Sequence, residues 1–192
     1  MKNVKIIFIL LILSICCKAF ADDSVTRFHW ALGTAAISYG DSETDTVMEY
    51  LSDNDYSRII LSGELGFSFK LDEMLRFVVG GNLVYDSFWK DSQSAFFLDY
   101  AFFGGMRVYP GLGGLNFGLE YNTGRRSNFY KLDDISVDSS STKWGNGFRI
   151  VTEYDFSVNT TGFAPVVGFS YRRMPRGGFA DNIFTFYFRF SY

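Results

Sequence analysis

Ten ionisable residues recur on the small-residue side of alternating segments: Glu64, Arg76, Asp86, Asp99, Arg107, Glu120, Arg149, Glu153, Arg172 and Arg189, five acids and five bases. Equal numbers of carboxylates and guanidiniums are what a self-neutralising ion-pair network needs, because an unpaired charge is costly wherever water is scarce. Glu64, Glu120, Arg149 and Glu153 fall nearest the middle of their segments, and Glu120 and Arg149 are expected at similar height on neighbouring strands. A set of this kind either plugs an interior or gates a narrow pore. Acyl transfer or deacylation would instead require a Ser, a His and an acid, with the His as base near the lipid substrate. The single histidine, His29, lies at the start of the first segment beside Trp30, where interfacial packing is the expected role, and no GxSxG motif or metal-ligand cluster accompanies it. No enzyme activity, metal or cofactor is expected. The stretch from Gly40 to Ser57 carries Asp41, Glu43, Asp45, Glu49, Asp53 and Asp55, but its spacing matches no EF-hand, so it reads as a solvated loop.

These side chains must be held by strands. Eight alternating segments run near 28–39, 58–71, 75–89, 95–109, 115–125, 144–156, 163–173 and 181–192. In the second, Ile59, Leu61, Leu65, Phe67, Phe69 and Leu71 alternate with Arg58, Ser62, Glu64, Gly66, Ser68 and Lys70, the period of a strand with one oily face. The fourth is less clean, because Phe97 and Phe103 fall on its polar side, and Pro165 marks a strand start in the seventh. Short connections at Asp72-Glu73-Met74, Pro110 to Gly114 and Ser157 to Gly162 alternate with connections near 40–57, 90–94, 126–143 and 174–180, two of them long and polar. That asymmetry predicts an all-β fold: an eight-stranded antiparallel up-and-down transmembrane barrel, with short turns on one side of the membrane and longer loops on the other.

A soluble barrel would carry the same period with its oily face inside. The lumen of eight strands is too narrow for the Phe, Tyr, Leu and Ile in question, however, while the polar face is built of Gly, Ser, Asn and balanced charges. The oily face is therefore expected to meet lipid. Trp30, Tyr39, Tyr85, Trp89, Tyr100, Tyr109, Tyr121, Trp144, Tyr154, Tyr171 and Tyr192 fall mostly near strand ends, as interfacial girdles would. Gly66, Gly80, Gly118 and Gly168 on the inner face leave local space, which motivates a narrow channel as the alternative to a plug.

The ends of the chain set its destination. Lys2 and Lys5 precede the apolar run from Ile6 to Ile15, followed by Ala19-Phe20-Ala21, so residues 1–21 read as a secretory signal peptide and 22–192 as the barrel domain. Lipidation at Cys16 is the rival outcome. Ordinary cleavage removes both cysteines and leaves 15 basic against 21 acidic residues, a balance that does not point to nucleic acid. At the other end Phe184, Phe186, Phe188, Phe190 and Tyr192 share one face of the final strand.

That terminus is similar to the carboxy-terminal assembly signal of bacterial outer-membrane barrels, with Tyr192 where Phe is usual. Taken with the signal peptide, the eight strands and the loop asymmetry, the chain resembles the small barrels typified by the OmpA membrane domain, OmpX and OmpW. The resemblance implies location in a Gram-negative-type outer membrane, contact with outer-membrane lipid and with the assembly machinery, and a structural or surface-interaction role through extracellular loops that meet an external ligand or host surface. For the OmpW type it implies passage of small hydrophobic molecules.

Overall fold

The computed structural model describes residues 26–132, 139–156 and 165–191. The expected signal peptide, the turn at Ser157 to Gly162 and Tyr192 lie outside the described residues. In chain order the elements are β1 (Thr26–Ser38), α1 (Ser42–Asp53), β2 (Ser57–Lys70), β3 (Leu75–Lys90), β4 (Gln93–Val108), β5 (Leu115–Lys131), the two-residue β6 (Ser140–Ser141), β7 (Gly145–Asp155), β8 (Val166–Pro175) and β9 (Ala180–Ser191). Apart from β6, which pairs only with the end of β5, each strand pairs with its two barrel neighbours, every pairing is antiparallel, and β9 on β1 and β4 on β5 complete a closed eight-stranded up-and-down barrel. Closure leaves no strand edge without a hydrogen-bonding partner strand.

The register fixes the shape. One row of paired residues runs from Ser38 through Asn182, Arg173, Phe148, Tyr121, Gly104, Val79 and Phe67 to Phe28. It returns to β1 displaced by ten residues, from Ser38 to Phe28. Ten residues at ~3.3 Å each against eight strands ~4.8 Å apart gives a tilt of about 40°. A barrel of this size has an interior just wide enough for side chains to fill.

Alternation then sorts residues to two environments. Leu32, Phe102, Leu119 and Phe169 point outward and remain 60–62 % exposed. Large apolar side chains ring the wall in this way, an exterior suited to hydrocarbon rather than water. Inward positions carry Glu64, Asp99, Arg107, Glu120, Arg149, Glu153, Arg172 and Arg189, all buried.

Two expectations change and a third holds. The acidic stretch after β1 is not an unstructured loop: residues 42–53 form α1, whose buried Val47 and Leu51 pack on Phe88, Ala95 and Phe97 at the mouth. β5 continues to Lys131, so Arg126 to Asn128 belong to the barrel rather than to a flexible connection. Phe97 and Phe103, placed on the polar side by their parity, do point inward and are buried there. Tight turns meet their own steric demands: Gly111, Gly113 and Gly114 take positive φ between β4 and β5, and Asp91 does so in the two-residue hairpin between β3 and β4.

Candidate functional site

The buried charges form two tiers inside the barrel. In the tier nearer the short turns, Arg107 from β4 meets both carboxylate oxygens of Glu153 on β7 at 2.6 Å and reaches Glu120 at 3.1 Å. Glu153 also accepts from Arg189 Nη2 at 2.7 Å and from the Tyr187 hydroxyl at 2.7 Å, both on β9. Arg149 is paired directly with Glu120 in the β5–β7 register and donates to it at 2.7 Å, while its other branch reaches Glu64 at 2.6 Å. Its guanidinium lies 4.7 Å from the Phe103 ring centroid. Three carboxylates and three guanidiniums from five strands neutralise one another, the condition for burying charge at tolerable cost.

His29 requires a correction. It is buried inside the barrel rather than packed at the membrane interface, and its Nε2 lies 3.2 Å from Glu64 Oε1. The register explains how it fits, since His29 faces Gly66, where a Cβ would fall 2.8 Å from the imidazole nitrogen. The other inner glycines behave alike. A Cβ at Gly80 would meet the Phe103 ring at 2.7 Å, at Gly168 the Tyr187 ring at 2.4 Å, and at Gly118 the Arg107 stem at 3.2 Å. The space expected at these glycines is thus already occupied by neighbouring side chains.

The second tier sits toward the long loops. Asp99 binds both Arg172 and Arg176; Asp181 binds Arg176 at 2.9 Å and Arg126 at 2.7 Å and accepts the Gly40 N–H at 3.0 Å. Asp86 takes a fork of two bonds from Arg58, at 2.9 and 2.8 Å, and the Tyr39 hydroxyl at 2.7 Å. Tyr39 therefore turns inward, against its expected place in a girdle. Burial, with the Asp86 carboxylate beside it, pushes its phenol well above the ordinary range. Between the tiers Asn82 bridges Arg172 and Asn122, and a cavity of about 20 Å³ lined by Glu64, Asn82, Arg149 and Tyr187 has room for one water.

Over this tier lies α1. Asp41 caps it by accepting the Thr44 N–H at 3.2 Å and hydroxyl at 2.6 Å, and the same carboxylate pairs with Arg126. Burial works to raise the Asp41 carboxyl, but the Thr44 hydrogen bond and the Arg126 guanidinium override it and hold the group below its usual value. Arg126 also donates to Thr44 Oγ1 at 2.9 Å, which ties the first turn of α1 to the barrel wall.

Of the ten residues expected to pair in the interior, Glu64, Asp86, Asp99, Arg107, Glu120, Arg149, Glu153, Arg172 and Arg189 meet opposite charges there, and Arg76 stands apart from both tiers. Arg76 lies at the opposite mouth with its guanidinium 5.5 Å from the Tyr109 ring centroid. Among the described assembly-signal residues, Phe184 and Phe188 are exposed on the outer wall, Phe186 packs against Phe169 with its ring tilted at 4.9 Å, and Phe190 rests on Trp30 at 4.6 Å. Sequence reasoning missed Arg126, Arg176, Asp181 and Asp41. Arg126 shares the parity of Glu120 and Asn122, so extending the fifth segment would have found it; Arg176 and Asp181 flank a connection that shows no periodicity.

No protein-family model matches the sequence, and no curated protein matches it. Solved structures do. Ail, the attachment invasion locus protein of Yersinia pestis, solved in complex with the heparin analogue sucrose octasulfate, is 9 % identical with a TM-score of 0.55, over 87 % of this chain and 97 % of that one. Neisserial surface protein A, NspA, is 11 % identical with a TM-score of 0.50 over the same shares. The chain has the fold of the small eight-stranded outer-membrane barrels.

Proposed function

We propose that this protein is a non-enzymatic integral outer-membrane barrel, exported by its amino-terminal signal, whose lumen is closed and whose role is structural or surface-interacting through its extracellular loops. The observation that carries the reading is the stack of three obstructions along one axis: the Glu64–Arg149–Glu120–Arg107–Glu153 tier, the Asp99–Arg172–Arg176–Asp181–Arg126 tier, and α1 seated on Phe88 and Phe97. Desolvated guanidiniums held by two to four acceptors each have little reason to move aside for solute. The competing channel loses its motivation because the inner glycines are filled by His29, Phe103, Arg107 and Tyr187.

Among the described residues, α1 presents an outer face on which Glu43, Asp45, Glu49 and Asp53 are exposed. The polyanion bound by Ail therefore does not transfer to this face, which favours a neutral or cationic surface as its counterpart. Against catalysis, the single histidine is committed to Glu64 inside the barrel, away from lipid on the outer wall. Swelling of liposomes carrying the purified, folded protein tests closure. Small sugars and amino acids are expected to stay out; uptake at rates above those of protein-free liposomes would replace this reading with the channel.

A further inference from the structure

We propose that the outer wall across β5, β7 and β8 clamps a phosphorylated lipid headgroup of the outer leaflet, using Arg125, Lys143 and Arg173. The inference rests on the outer-membrane reading above and adds a ligand to it. Arg125 lies on the outward face of β5, beside Tyr100 of β4 in the register and one step beyond the Gly124–Gly145 pair that leads to Trp144. The Tyr100 and Trp144 rings approach edge-on at 6.0 Å, and Trp144 is half exposed. Arg173 stands on the outward face of β8 opposite Phe148, next to Tyr171, and Lys143 is exposed immediately before Trp144.

Three cations among Trp and Tyr rings at the long-loop end occupy the height where a bilayer presents its headgroups. Arg125 and Arg173 are separated by one intervening strand and, because the row through Arg173 and Phe148 meets β5 at Tyr121, by four residues along β5 as well; the resulting backbone separation of roughly 16 Å is one that two arginine side chains and a headgroup bearing more than one phosphate can span.

Among the described residues none of the three has a carboxylate partner: Arg173 donates only to Asn182 Oδ1, at 3.3 Å, and the Arg125 Nε is buried without a hydrogen-bond acceptor. The aspartates at the same height, Asp86, Asp99 and Asp181, all turn inward and are consumed by Arg58, Arg172, Arg176 and Arg126. Among the described residues at this height the aspartates are thus spent on the lumen, while three cations face outward on one sector of wall. Guanidinium and ammonium groups at a low-dielectric interface call for an anion there, and phosphate fits the planar fork of Arg.

The test uses the full mature protein folded into phosphatidylcholine vesicles doped with bis-phosphorylated lipid A, then extracted in mild detergent for native mass spectrometry. Wild type is expected to retain the lipid, with retention falling roughly fivefold for each cation removed in Arg125→Gln, Lys143→Gln and Arg173→Gln. Lys131→Gln is expected to leave it unchanged, and millimolar inorganic phosphate should not displace it. Each substitution faces outward, and a heat-modifiable gel shift in pure phosphatidylcholine reports that the barrel has closed and inserted. Failure of wild type to insert would sink the outer-membrane reading itself. Normal insertion with equal retention by the variants, or with equal retention of dephosphorylated lipid A, would overturn the clamp alone, as would binding of a soluble sulfated sugar without retention of lipid.

Discussion

Glu153 accepts from three side chains on two other strands, Arg107, Arg189 and Tyr187, and it is the acid that Arg189 meets among the described ion pairs. Glu153→Gln keeps the volume and removes the charge, leaving two buried guanidiniums short of a counterion. A loss of about 3–5 kcal/mol in the urea unfolding of the folded barrel is expected, in line with one-sided deletion of buried pairs; an unchanged midpoint would mean that water reaches this tier. Gly168→Ala tests packing at the same level, because the added methyl would lie 2.4 Å from the Tyr187 ring. A cost of about 1–3 kcal/mol is expected from the displaced ring, measured by the same unfolding curve. In and out parity made the charges on β2, β4, β5 and β7 legible from sequence. It could not reveal that His29 stands opposite Gly66, because cross-strand register is invisible in a single chain, and without the register His29 looked like a neighbour of Trp30 rather than of Glu64.

At the scale of elements, α1 was obscured by its own acidity. Asp41, Glu43, Asp45, Glu49 and Asp53 read as a repelled loop, yet Asp41 followed three residues later by Thr44, with Val47 and Leu51 four apart, carries a cap and one apolar stripe. The stripe is narrow, and what makes it productive is a mouth lined by Phe88 and Phe97, a tertiary fact. The cap also titrates. Because the folded Asp41 carboxyl lies below its ordinary value, its contribution is complete above the unfolded value and is lost as pH falls through the folded one. Amide protection of residues 42–53 should therefore hold at neutral pH and decline below about pH 4, while Asp41→Asn, which keeps a capping oxygen but discharges the Arg126 pair, should show the reduced protection at neutral pH. Hydrogen exchange read by mass spectrometry checks both, and a helix indifferent to acid and to the substitution would show that Val47 and Leu51 alone hold it.

For the whole molecule, the strongest signal was the period of two repeated eight times, which carried barrel, parity, strand count and the closure of the last strand on the first, while the ten-residue stagger emerged only from the pairing. Strand limits strayed most at β5, where Ser127 and Asn128 look like loop residues but pair with β4 and with Ser140 and Ser141. The outer wall makes one direct prediction. Phe186, midway along β9 between Thr34 and Phe169, lies near the middle of the apolar belt, so Phe186→Arg should cost about 2 to 4 kcal/mol in bilayers, seen as a lowered urea midpoint. The central claim, a barrel shut by its own ion pairs, is tested most directly by planar-bilayer recordings of the purified protein at neutral pH. The account predicts no steady conductance from wild type. A sustained open level that Glu120→Ala or Arg149→Ala alters would contradict it.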